Sequence, residues 1–352
     1  MKQNKIQMRK GIVFFVFFFL LLLGVILPAK NIYADVVLNK TELTLEVGKS
    51  QKLKLAGTNK KIRWSSNKAS VAKVSNKGTV TAISKGNAVI TAKAGKKKYT
   101  CKVCVYDVNY SNAKVAKKAK KVIKKYIKAS MNTEEKILAI HDYMVLNCAY
   151  DYKNYLKGTI PFVSYSPEGV LIKKKAVCQG YAETFQLFMD SLGIPCKLVT
   201  GTANGGGHAW NMVKVSGKWF QIDVTWDDPV PDAKGRTRYA YFLIPDSVMD
   251  NDHKWNKSYY PKCKTKSDKF IHLFGEVSKS KEEAIQNLYE QYRTGNKMLT
   301  LIYTKKCWNS LEGSKIPFFE MQDLYGLNAD GHTSYSYSHY EYGKYVVIYV
   351  YL

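Results

Sequence analysis

Arginine and acidic residues are scarce in this 352-residue chain. Asp and Glu number 28 against 55 Lys and Arg, and only five of the latter are Arg, so the formal charge of +27 is lysine charge. Polar low-complexity sequence is lacking too: 46% of residues are hydrophobic and 13% aromatic, which excludes global disorder. The seven cysteines show no metal-ligand spacing. Cys101 and Cys104 lie in an alternating strand pattern with no second ligand pair nearby, and residues three apart on a strand face opposite sides. No acidic loop has the spacing of a calcium site. Neither a metal nor an organic cofactor is expected.

One long hydrophobic run is present. Lys2, Lys5, Arg9 and Lys10 precede 17 residues from Gly11 to Leu27, and a short polar stretch then ends in Ala34 before Asp35. That order predicts a secretory signal over 1–34, cleaved after Ala34. An uncleaved anchor is the alternative, since such a run is near the lower limit for a membrane span. No Cys follows the run closely enough to take a lipid. Outside a cell six of the seven cysteines could pair. Loss of residues 1–34 removes five positive charges and leaves +22. Such a field gathers anionic partners and fades with salt. Anionic wall polymers and membrane headgroups are the candidates, nucleic acid is a poorer fit, and a solvated lysine surface is the bland alternative. No stable membrane insertion is expected after cleavage.

The length calls for two or three domains. Residues 35–107 read as all-β, with short apolar runs (Leu43–Leu45, Ile62–Trp64, Val71–Val74, Ala88–Ile90) between turn formers such as Gly48 and Gly86. That spacing predicts a small sandwich. Residues 114–128 then predict an amphipathic helix whose eight lysines form a basic face. Asn132 with Glu135 forms a capping box for a second helix carrying His141, read as a packing residue. Residues 267–352 predict a small α+β unit: a helix capped by Ser280 and Glu283 and running through Tyr292, and strands at 299–303 and 345–351. Tyr335, Tyr337, Tyr340 and Tyr342 precede the last strand, as a tyrosine-rich strand face or a carbohydrate-stacking one.

Between these regions lies the chemistry. Cys178 is followed by Tyr181, Ala182, Phe185, Phe188, Met189 and Leu192 at helical spacing, ended by Gly193 and Pro195. Cys178 therefore starts a buried helix, where unpaired N–H groups and the helix dipole favour negative charge on its sulfur and could hold an oxyanion. The preceding Lys173, Lys174 and Lys175 act in the same direction. Further on, 208–215 and 218–226 read as a hairpin closed by Ser216-Gly217. With Val215 opposite Lys218, Asp223 falls opposite Trp210, and His208 becomes its same-face diagonal neighbour. A nucleophile, a base and a carboxylate that orients the base form a catalytic relay. Asp227 and Asp228 are substitutes if the register slips. Pairing of Cys178 with Cys196 in a disulfide is a competing use of the thiol.

Two resemblances attach to these residues. Leu-x-Leu-x-Val-Gly at 43–48, Trp64-Ser65-Ser66-Asn67, Val71-Ala72-x-Val74, Gly78-x-Val80-Thr81-Ala82 and Gly86-x-Ala88-x-Ile90-Thr91-Ala92 together resemble the bacterial Ig-like group-2 domain. That family implies a surface spacer or adhesive module. Ala176-Val-Cys178-x-Gly180-Tyr181-Ala182, Leu192-Gly193-Ile194-Pro195-Cys196, His208-Ala209-Trp210-Asn211 and Trp219-x-x-Ile222-Asp223-Val-Thr-Trp226 resemble the transglutaminase-like superfamily. It implies an α+β papain-like domain over 108–266 (core 132–260), with Cys178 as nucleophile, His208 as base and Asp223 as its partner. An upstream aromatic that assists the oxyanion is also implied; Tyr165 is the nearest candidate. The expectation is a multidomain, secreted cell-surface thiol enzyme. It would perform acyl transfer or hydrolysis on peptide amides, wall peptides among them. The alternative is a non-catalytic adhesin using the Ig-like module.

Overall fold

The computed structural model describes residues 35–232, 235–296, 298–311, 315–327 and 335–352. The secretory signal expected over 1–34 lies outside them. Among the described residues, no helix is long and apolar enough to cross a membrane.

Nine strands open the chain: β1 (Val37–Leu38), β2 (Glu42–Glu46), β3 (Ser50–Lys52), β4 (Leu55–Ala56), β5 (Ile62–Ser66), β6 (Ala72–Val74), β7 (Thr79–Ala82), β8 (Gly86–Ala94) and β9 (Lys97–Tyr106). They form sheets ordered β2-β9-β8-β5 and β3-β7-β6, with β1-β4 as a small third pairing. Inward residues of the sheets, among them Leu43, Leu53, Val80, Ile90 and Val103, make one core. Strand β9 is unusual in burying both faces towards its end. Cys101, Val103 and Val105 fill the sandwich, while Cys104 and Tyr106 belong to the core that follows. The two cysteines thus face opposite sides.

That second core is built on helices α1 (Ala113–Tyr126) and α2 (Thr133–Asn147), strand β10 (Ala149–Tyr150), α3 (Tyr152–Lys157), β11 (Lys175–Ala176) and α4 (Cys178–Leu192). After them come β12 (Cys196–Ala203), β13 (Gly206–Val215), β14 (Lys218–Ile222), α5 (Asp246–Met249) and β15 (His253–Lys254). The Asn132–Glu135 capping box starts α2 in both directions. The sheet is ordered β14-β13-β12-β15. Helix α4 packs along it, burying Tyr181, Phe185, Phe188 and Met189, and Asn211 of β13 donates to the Ala182 carbonyl at 3.1 Å. Lysine ties the two cores together: the buried Lys136 ammonium of α2 reaches Asn87 Oδ1 at 2.7 Å and Cys104 Sγ at 3.5 Å.

The last unit contains β16 (Val277–Ser278), α6 (Lys281–Tyr292), β17 (Met298–Thr304), α7 (Lys305–Ser310), α8 (Phe318–Leu324), β18 (Ser336–Tyr342) and β19 (Tyr345–Tyr351), with sheet order β16-β17-β19-β18. Alternation along β19 divides it between two cores: Val346, Ile348 and Val350 pack with α6 and α8, and Val347, Tyr349 and Tyr351 pack towards the central domain. Tyr342 is buried and donates to the Phe242 carbonyl at 2.8 Å. Tyr340 meets the Tyr349 hydroxyl at 2.9 Å. Two of the four clustered tyrosines therefore serve this junction, and Tyr335 packs against Phe318 and Phe319. Tyr337 alone of the four is largely exposed, so the four rings do not share one exposed face.

Close approach at the start of α4 is controlled by Gly180, where a Cβ would lie 2.6 Å from the Ser164 carbonyl oxygen and 3.1 Å from Ala176 Cβ. Gly180→Ala is expected to destabilise the protein by about 1–3 kcal/mol in denaturant unfolding, despite the better helix propensity of Ala. A stabilised variant would mean that the 164–166 segment moves freely away.

Candidate active site

The hairpin closes through Ser216 (φ 49°) and Gly217 (φ 80°). Positive φ at both central positions gives the two-residue turn whose twist suits the strands. The ladder then runs from Val215↔Lys218 to Asn211↔Ile222, the register read from the sequence. It stops one pair short of Trp210. The Asp223 amide turns instead to the Tyr241 carbonyl at 3.1 Å, and its carboxylate meets the His208 ring. His208 Nε2 lies 2.6 Å from Asp223 Oδ2. The other oxygen, Oδ1, accepts the amides of Thr225 at 2.9 Å and Trp226 at 3.1 Å.

Cys178 opens α4 after Val177, and no side chain caps the first turn. Its thiol is half-buried and close enough to the His208 ring to act on its charge. The structure thus gathers Cys178, His208 and Asp223 in one row. His208 sits between Trp210, with ring centroids 5.9 Å apart and near-parallel planes, and Trp226 at 5.8 Å.

A fourth residue joins them that the sequence reading missed. His253, fully buried on the short edge strand β15, places Nε2 3.1 Å from Asp223 Oδ2 and Nδ1 2.5 Å from Asp252 Oδ1. It also packs on Trp226 at 4.5 Å. The ligand atoms of His208, Asp223 and His253 lie within 4.8 Å of one another, a grouping that could in principle hold a cation. Their geometry argues otherwise: both imidazoles aim a nitrogen at the same carboxylate oxygen, so these nitrogens carry protons rather than free lone pairs.

The other candidates are placed elsewhere. His141 is buried between Asp142 and Asp227, at 2.9 and 3.1 Å, and packs on Tyr239 and Phe242. Asp227 serves His141 and the Tyr241 amide; Asp228 accepts the Tyr181 hydroxyl. Neither meets His208. All seven cysteines are free; Cys196 starts β12, where its carbonyl accepts from Gln186, about two turns along α4 from Cys178, and the two thiols are not bonded to each other. Tyr165, 40% exposed, does not line the cleft onto which His208 opens. Tyr150 does, with Tyr152, Tyr155, Trp226 and Arg238, around about 500 Å³. Strand pairing explains this: Tyr150 lies beside Ala176, two residues before Cys178.

Electrostatics follow from burial and pairing. Burial alone would strip His208 of its proton, but the Asp223 carboxylate and the Cys178 sulfur outweigh it and raise the ring to about 10. Burial likewise works against the Asp223 charge, and the two imidazoles hold it well below the usual carboxylate range. Burial, helped by the Asp232 charge, outweighs the Tyr181 hydroxyl and His141 and pushes Asp228 up to about 7. The raised His208 contributes stability that is complete below its ordinary value of 6.5 and is lost as pH climbs through about 10. In Asp223→Asn, proton NMR is expected to show the His208 titration falling from about 10 to its ordinary 6.5 or below, because burial then meets opposition from Cys178 alone. An unmoved titration would remove Asp223 as the source of the ring's charge.

Comparison with known proteins adds the family. Residues 120–224 match the model of the transglutaminase-like superfamily, and residues 34–103 that of the bacterial Ig-like domain (group 2). The kyphoscoliosis peptidase of Homo sapiens is 30% identical over 26% of this chain and 16% of that protein, as is its Mus musculus counterpart. This chain therefore spans about a sixth of the length of the curated relatives it matches. Among solved structures, a TGase crystal structure is 22% identical over 34% of this chain and 32% of that one, with a TM-score of 0.29. A bacterial Ig-like domain-containing GH10 xylanase from termite gut is 25% identical over 24% and 23%, with a TM-score of 0.18. The row of Cys178, His208 and Asp223 thus stands in the segment that matches a thiol-enzyme family, and the chain joins a bacterial Ig-like domain to a transglutaminase-like core.

Proposed function

We propose that this protein is a secreted cell-surface thiol enzyme that transfers or hydrolyses acyl groups of peptide or protein amides, with Cys178, His208 and Asp223 as its catalytic residues. The observation that supports this most is the His208 ring, which is hydrogen-bonded to the Asp223 carboxylate and feels the charge of the Cys178 sulfur. The Cys178 sulfur attacks the amide carbon, and the carbonyl oxygen takes up the negative charge. Uncapped amides of the first turn of α4 receive it. The Tyr150 phenol keeps its proton at neutral pH, since burial and the neighbouring Cys178 raise it, and it is a second donor. His208 passes its proton to the departing nitrogen, the C–N bond breaks and a thioester remains. Water or an amine then attacks, His208 takes the incoming proton, and the C–S bond breaks.

His253 is a positioning residue in this scheme. By sharing Oδ2 with His208 it holds the Asp223 carboxylate in place beside the ring through the catalytic cycle. The bacterial Ig-like match favours a place on the cell surface, and wall peptides are the substrate class nearest at hand there. The name of the mammalian relatives, a peptidase, favours water as the acceptor.

The test is incubation of residues 35–352 with wall peptides and a labelled primary amine. Cys178→Ala is expected to lose at least about a thousandfold in turnover. Free acid as the product assigns a peptidase, and incorporated amine a cross-linking enzyme. Equal turnover by the variant would refute the assignment.

A further inference from the structure

The amphipathic helix α1 does not simply turn its lysines to solvent. Together with β2 of the Ig-like domain it walls a cleft of about 720 Å³, lined by eight lysines and two glutamates. Lys40 and Lys49 project from the Ig-like side, and Lys117, Lys121, Lys124 and Lys128 from the helical side. The seam beneath them is fixed: the Thr44 hydroxyl donates to the Ile127 carbonyl at 2.9 Å, and the Ser130 amide to Glu42 at 3.0 Å. Both acids are thereby engaged, since Glu46 pairs with Lys120 at 2.5 Å. Lys117, Lys121 and Lys124 are exposed and have no carboxylate partner among the described residues.

We infer that this interdomain cleft binds a flexible polyanion built of repeating phosphate or phosphodiester units without bases. Positions 117, 121 and 124 recur about once per turn of α1, so their ammonium groups form a row with roughly 5–6 Å between successive members, and Lys128 follows just past the helix end. A chain with one charge per few ångströms can meet them in series. Lysine alone supplies the cations, and its ammonium acts as a point charge that tolerates different registers, unlike the planar arginine fork. The surface is concave, which a flat bilayer cannot enter. Tyr106 is the single aromatic lining the cleft and is only 5% exposed, so the stacking platform that single-stranded nucleic acid uses is missing. Occupancy of the cleft would clamp the Ig-like domain to the next one through charges on both walls. The inference uses none of the residues assigned to acyl chemistry and stands or falls apart from it.

Binding of long-chain inorganic polyphosphate and of poly(glycerol phosphate) to the full chain tests this by fluorescence anisotropy. The triple variant Lys117→Glu, Lys121→Glu, Lys124→Glu is compared with a charge-matched control, Lys60→Glu, Lys61→Glu, Lys93→Glu. The control residues surround a separate basic hollow on the outer edge of the sandwich. All six are exposed, and thermal melts check that both variants fold. The cleft variant is expected to lose at least about tenfold in affinity and to show a flatter salt dependence between about 50 and 200 mM, with the control changed less than about threefold. Equal losses in both variants would reduce the effect to bulk charge and overturn the inference. So would single-stranded DNA of equal charge binding as tightly as polyphosphate, or a wild-type chain that binds neither polymer at the lower salt.

Discussion

A buried carboxylate organises this molecule. Asp223 has no solvent exposure and accepts four N–H groups, from two imidazole rings and two backbone amides. A charge in such a place survives only if every lone pair is engaged, and the cost of losing one partner is high. The four donors come from β13, β15 and the turn after β14. One side chain therefore fixes where the hairpin ends, where the 224–226 turn begins and where the edge strand docks. The orientation of the His208 ring, and with it the row that reaches Cys178, is a consequence of that satisfaction.

Much of the site was legible because it rests on local rules. The Cys178 helix is written in its 3.6-residue apolar spacing and its Gly193 stop, and the hairpin register in a Ser-Gly pair between alternating strands. Capping chemistry gave Asn132 and Ser280 as helix starts, and both side chains accept the predicted amide. What failed was whatever depends on irregular backbone. His253 follows a long stretch without periodicity, on a strand of two residues, so no pattern brings it near Asp223. Its signal was compositional only: a histidine directly after Asp252, the carboxylate that holds its outer nitrogen. Tyr150 was missed for a related reason. It is brought to Cys178 by a parallel pairing of two residues each, too short to read in a sequence.

The boundaries between units are less clean than a reading by segments suggests. Strand β9 contributes side chains to two cores, and β19 does the same at the other end of the central domain. Continuous apolar sequence records this: Val103 to Tyr106, and Val346 to Tyr351, abandon the alternation of a half-exposed strand. Lys136 shows the accompanying polar requirement, since an ammonium buried at such a junction needs Asn87 as a fixed acceptor.

The pairing of β2 with β9 is parallel, from Glu42↔Lys102 to Glu46↔Tyr106. Strands that run side by side in the same direction respond to tension in a particular way. A pull that draws residue 42 and residue 106 apart is directed along both strands, in opposite senses. Their hydrogen bonds then share the force together instead of opening one at a time like a zipper. The sandwich thus resists in shear a pull along the line from β2 to the end of β9, the direction in which the domain that follows would draw on it.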